Sequence, residues 1–240
     1  MVQPASRSYL DQTRGILYSY LISVPLLILY ELLIWISQPP DQTVRISVDI
    51  LFKSFFQFLG VNAISATLLV AAFIGAIVLY RKRSELPHLR SSYFISMILE
   101  SAVYAVLITV VIVGLLETIL AMNPSESMEA INKVQLFALS LGAGLYEELF
   151  FRVILVGGLS LFFVNFFSKK GTAYVLSALI AALIFSGVHY IGQYGDFFTL
   201  GSFLFRFLFG LALNLIYVIR GFGIAAWTHA LYDIFVISQM

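Results

Sequence analysis

The chain contains no cysteine. This excludes a disulfide framework, a thiolate nucleophile and thiolate metal ligands. Charge is scarce as well. Only 11% of the 240 residues are charged, against about 25% in an average soluble domain, so there is too little polar surface to meet water on every side. No charge sign dominates, and the net charge of +1 gives no basis for a nucleic-acid partner. Strict alternation of apolar and polar residues over about ten positions is also missing, which argues against a membrane β-barrel. What the chain has is apolar surface: 60% of its residues are hydrophobic. A lipid bilayer supplies the matching solvent. The expected fold class is all-α, a polytopic transmembrane helical bundle forming one integral membrane domain over residues 1–240.

A membrane-spanning helix needs about 20 mostly apolar residues. Ile16–Ile36, Ala63–Tyr80, Tyr93–Met122, Thr172–Tyr190, Phe197–Ile219 and Phe222–Ile237 meet or approach this. Val134–Phe167 is too long for one straight span. It gives seven spans if it is one tilted or broken helix, and eight if it turns back near Gly157-Gly158. Arg45–Leu59 differs from these. Its Arg45, Asp49, Lys53 and Gln57 recur every four residues, a narrow polar stripe on a helix. Such a helix lies in the membrane interface, or packs under the first loop. The basic cluster from Arg81-Lys82-Arg83 to Arg90 is expected on the cytoplasmic side. That places the N-terminus inside and the loop Asn123–Lys133 outside. The polar start, Met1 to Arg14, reads as leading into a first anchor rather than as a removed signal peptide.

Three strings place ionisable groups inside this apolar sequence: Glu147-Glu148-Leu149-Phe150-Phe151-Arg152, Phe185-Ser186-Gly187-Val188-His189 and His229-Ala230-Leu231-Tyr232-Asp233. A charge at the bilayer centre costs roughly 2.5–3.5 kcal/mol on an insertion scale, so these groups must be paired, hydrated or used. Glu148 and Arg152 are i,i+4 neighbours that can pair. Glu147 then points about 100° away and is left as a free carboxylate suited to take a proton from water. Phe185 can wall off His189 one turn away. Asp233, one turn from His229, can accept the imidazole N–H and set its tautomer. The same groups could instead be a structural ion network. No serine or cysteine sits at a telling position, so the nucleophile is expected to be water. Two further intramembrane groups are Arg206, expected to neutralise Glu148 or Asp233 or to line an entrance, and Glu31, expected to reach the outer interface or face the cavity.

Glu-Glu-x-x-x-Arg, then Phe-x-x-x-His, then His-x-x-x-Asp, on successive membrane helices, resembles the CAAX protease and bacteriocin-processing (CPBP, or Abi) family of intramembrane proteases. The resemblance covers about residues 136–240. It implies a CAAX-prenyl-protease-like endopeptidase acting on peptide or membrane-protein substrates. Glu147 would activate water with help from His189, and His229 would stabilise the oxyanion of the tetrahedral intermediate. Asp233 stands where CAAX-type members often carry asparagine, which can donate a hydrogen bond; ionised aspartate cannot. Asp233 is therefore protonated there, or only orients His229. The spacing from Glu147 to His189 is generous for the family and implies a longer connection around Asn165–Gly171.

No cofactor is expected, with zinc held by Glu147, His189 and His229 as the alternative. A catalytically inactive immunity or interaction protein of the same fold is the other alternative. A proton-coupled transporter would be expected to show an internal repeat, and none is visible. The location expected is the plasma membrane of a prokaryote.

Overall fold

The computed structural model describes residues 8–37, 45–60, 62–120, 133–191 and 195–239, with side chains at all but 63–65 and 118–120. Among the described residues every regular element is helical. A short α1 (Tyr9–Thr13), capped by the Ser8 side chain, precedes α2 (Ile16–Ser37), α3 (Ser47–Phe58), α4 (Ala63–Arg81) and α5 (Ser91–Leu120). Then come α6 (Lys133–Gly142), two π-helical segments (Ala143–Glu147 and Leu149–Val156) and α7 (Gly157–Phe163). The chain closes with α8 (Lys170–Val188), α9 (Leu200–Arg220) and α10 (Phe222–Ser238). The loop expected outside the membrane lies, apart from Lys133, beyond the described residues, as do residues 1–7.

Among the described residues four helices are long and apolar enough to cross a membrane: Ile16–Ser37, Ser91–Glu117, Lys170–Val188 and Leu200–Arg220. Ala66–Arg81 and Phe222–Ser238 are apolar but shorter. Seven or eight spans are therefore not reached on length and apolarity alone. The long stretch around the glutamates does not turn back at Gly157-Gly158. Backbone dihedrals stay helical at Gly142 (φ −65°, ψ −43°), Glu148 (−63°, −39°), Val156 (−62°, −43°) and Gly157 (−59°, −50°), so α6, the π segments and α7 follow one another as a single rod.

α10 sits at the centre, packed against α5, α9, α2, α6 and the first π segment. Its buried residues include four small ones, Gly223, Ala225, Ala226 and Ala230. Small residues let helix backbones approach closely where apolar burial alone gives no drive for association. Side-chain hydrogen bonds pin it further: Trp227 Nε1 donates to the Ile22 carbonyl at 2.7 Å and Ser101 Oγ to that of Ile224 at 3.3 Å. Gly221 makes the whole connection between α9 and α10 with φ of +86°, a conformation other residues rarely adopt. This turn is recessed. Arg220 is buried and reaches Leu10 O at 3.1 Å and Thr13 Oγ1 at 2.8 Å on α1, and its guanidinium pairs with Glu100.

Two alternatives that the sequence left open narrow here. The polar stripe of α3 does not face lipid headgroups. Asp49 and Lys53 are buried, while Ile50, Leu51, Phe55 and Phe58 are exposed on the helix's outer side. The charges turn inward because Glu31 on α2 offers them a partner: Lys53 Nζ lies 2.6 Å and Arg45 Nη1 3.2 Å from its carboxylate. Glu31 accordingly faces the protein rather than the outer interface.

Candidate active site

The site forms where the π stretch meets α10. A Cβ at Gly144 would come within 2.8 Å of Ala230 N and within 2.7 Å of Ala230 Cβ. Only glycine allows this approach, which carries His229 up to the glutamates. A π-helix closes i→i+5 bonds and is wider than an α-helix, so neighbouring side chains are rotated by less than about 100°. Glu147 and Glu148 consequently both reach one imidazole. Glu148 Oε1 lies 2.7 Å from His229 Nδ1, and Glu147 Oε2 lies 4.0 Å from Nε2.

Glu148 is fully buried and also pairs with Arg152, its Oε1 lying 2.8 Å from Nη1. Arg152 is itself 1% exposed; Nη2 donates to Gly210 O at 3.4 Å and the guanidinium covers the Phe185 ring at 4.9 Å. Phe185 is the hub of the apolar wall. His189 meets it edge-on at 4.9 Å and His229 at 6.0 Å, so both imidazoles border one phenyl ring. Phe209 closes the other side of His229 at 5.3 Å.

The tautomers follow from the partners. A carbonyl oxygen can only accept, so His189 Nδ1, 2.7 Å from Phe185 O, carries the proton. His229 Nδ1 likewise donates to the Glu148 carboxylate. In both rings Nε2 is the nitrogen left for chemistry. Around His229 Nε2 stand Glu147 at 4.0 Å and Asp233 at 3.7 Å, separations that one bridging water fits. Glu147 Oε2 is buried and has no hydrogen-bond partner in the protein.

Two sequence-based assignments shift. The carboxylate on His229 Nδ1 is Glu148, not Asp233, because the π winding brings Glu148 there and Asp233 sits on the Nε2 side. Arg206 pairs with Asp196 and donates to Tyr190 OH at 2.8 Å instead of neutralising Glu148 or Asp233. Asp196 N–H in turn donates to His189 O at 2.9 Å, so Arg206 clamps the turn that carries His189. Tyr146 was not singled out from sequence. Its hydroxyl donates to Glu31 Oε1 at 3.2 Å. A tyrosine hydroxyl and a carboxylate within membrane-spanning segments both need a buried partner, and that need was the available signal.

Glu147, His189 and His229 do not gather as a metal-holding group, and among the described residues no three His, Asp or Glu side chains do. Replacing Asp233 by asparagine is expected to keep the fold and most of any activity, since Glu148 already sets the His229 tautomer. Rate and pH profile of the variant check this. A fall of about 10⁴-fold, as when an orienting acid is lost, would return the orienting role to Asp233.

An all-helical, membrane-spanning fold with an acid–imidazole centre between its helices defines the class. Residues 130–235, a little under half of the chain, match the family model described as Type II CAAX prenyl endopeptidase Rce1-like, a model of the CPBP (Abi) family. No curated protein and no solved structure matches the chain.

Proposed function

We propose that the protein is an intramembrane endopeptidase in which Glu147 activates water. The observation that carries this reading is the pair of adjacent carboxylates on the two nitrogens of one imidazole, within the family-matching segment. Glu148, tied to Arg152, holds His229; Glu147 is left with an unpartnered oxygen toward the same ring. Water between Glu147 and His229 Nε2 gives its proton to Glu147, and the hydroxide adds to the peptide carbonyl carbon. His229 is doubly protonated in this step: Nδ1–H is held by Glu148 and Nε2–H faces the oxyanion. As the C–N bond breaks, Glu147 returns the proton to the leaving amine. His189, with Nε2 free at the edge of the Phe185 ring, keeps an assisting role beside this centre. The substrate is a peptide or membrane protein presented in the bilayer, CAAX-like in class. The setting is a prokaryotic plasma membrane with the N-terminus cytoplasmic.

The test compares membrane peptides in cells carrying wild-type protein and Glu147→Ala, with purified protein assayed beside a zinc chelator. Peptides that depend on Glu147, with activity unchanged by chelator, are expected. Identical peptide sets would support the inactive immunity or interaction role. Loss with chelator and recovery with zinc would replace the direct glutamate mechanism by a metal one.

A further inference from the structure

Behind the glutamates lies a second ionic cluster that the proposed chemistry does not use. Glu31 Oε1 receives Tyr146 OH at 3.2 Å and Lys53 Nζ at 2.6 Å, and Glu31 Oε2 receives Arg45 Nη1 at 3.2 Å. Both cations also bind Asp49, Lys53 at 2.9 Å and Arg45 at 3.0 Å, and Asp49 accepts Tyr30 OH at 2.7 Å. The Tyr30 and Tyr146 rings pack edge-on at 5.5 Å, with Phe52 6.2 Å from Tyr146. Two acids and two bases cancel, and Asp49 is fully buried. Such a cluster adds little net stability over apolar packing of equal volume; its best-attested use is to fix a register.

The register at stake is next door. Tyr146 precedes Glu147 in the first π segment. A relaxation of that segment to ordinary α-helical winding would rotate every side chain beyond it and pull one glutamate off His229. Tyr146 is the one side chain of this segment tied by hydrogen bond to α2, and through Glu31 to α3.

We propose that Tyr146 and Glu31 are positioning residues: with the charges of α3 they hold the π winding that sets Glu147 and Glu148 on opposite nitrogens of His229. The catalytic consequence rests on the endopeptidase reading; the positional one does not. The test uses the full chain in detergent with Tyr146→Phe, Glu31→Gln and the double variant. Tyr146→Phe removes a single hydroxyl, so the fold should survive it. Amide hydrogen exchange across 143–150 is measured beside that of α8 and α9, together with kcat and KM for a peptide whose cleavage requires Glu147.

Both single variants are expected to speed exchange at 143–150 while α8 and α9 stay protected. kcat should fall by up to about 100-fold, the scale for a misplacement of roughly 1 Å, with KM unchanged. Glu31→Gln also withdraws the charge that Lys53 and Arg45 pair with, so the double variant should match Glu31→Gln. Unchanged exchange at 143–150 would overturn the proposal. Equal acceleration in all helices would do so too, showing a merely structural role, and so would local acceleration with unaltered kcat. If Glu147→Gln itself still cleaves, the endopeptidase reading fails, and the exchange data alone still decide whether the winding depends on Tyr146 and Glu31.

Discussion

Glu147→Gln is expected to lower peptide cleavage by about 10²–10⁴-fold, the range that a positioned acid–base group contributes, with no comparable loss of fold. The amide keeps the volume of the side chain and removes its ability to take a proton. Stability should hardly change because Glu147 Oε2 has no hydrogen-bond partner and the ion pair of the site belongs to Glu148. Single-turnover rates of purified wild-type and variant protein, with thermal unfolding in the same detergent, separate the two effects. Glu148→Gln should differ by losing both, since it loosens Arg152 and His229 at once. A Glu147→Gln enzyme within a few-fold of wild type would remove Glu147 as the base.

Arg152→Ala is expected to be the most destabilising single change in the site. Arg152 and Glu148 are almost wholly buried, and Nη1 lies 2.8 Å from the carboxylate. Removing one member of a buried pair typically costs about 3–5 kcal/mol, because the other charge is stranded. The guanidinium also covers Phe185, so the change opens the wall shared by both histidines. Thermal or denaturant unfolding in detergent measures the loss. An apolar double replacement, Arg152→Met with Glu148→Leu, should recover most of the stability, since it strands no charge, while remaining inactive because His229 loses its anchor. A loss below about 1 kcal/mol for Arg152→Ala, the level of a solvated surface pair, would show that Glu148 is not a dry charge.

Helix positions were legible because apolar runs end where polar residues begin: α2, α8, α9 and α10 start and stop within a few residues of the apolar segments. The Glu148–Arg152 pair was legible because it depends only on local spacing. The π winding was not. Nothing in residues 143–156 distinguishes it from an α-helix on paper, and the angle between Glu147 and Glu148, hence which acid meets which nitrogen, follows from it. The four-residue recurrence in α3 announced a polar stripe without saying which way it faces. That answer depended on Glu31, fourteen residues before Arg45. Arg206 was matched to the wrong acids for a similar reason: Asp196 lies in the connection outside the motifs, and only the folded turn after His189 brings it near.

The wide reach of these side chains bears on where a minimal active fragment could be cut. The family match runs from 130 to 235, yet the residues that satisfy it come from upstream. Arg220 is neutralised by Glu100, Trp227 donates to Ile22, and Tyr146 leans on Glu31. A chain trimmed to the matched segment would expose an uncompensated arginine and two orphaned donors to lipid. The boundary drawn by sequence similarity is thus not a seam along which this protein comes apart, and the part of the chain outside it is the other half of the same core.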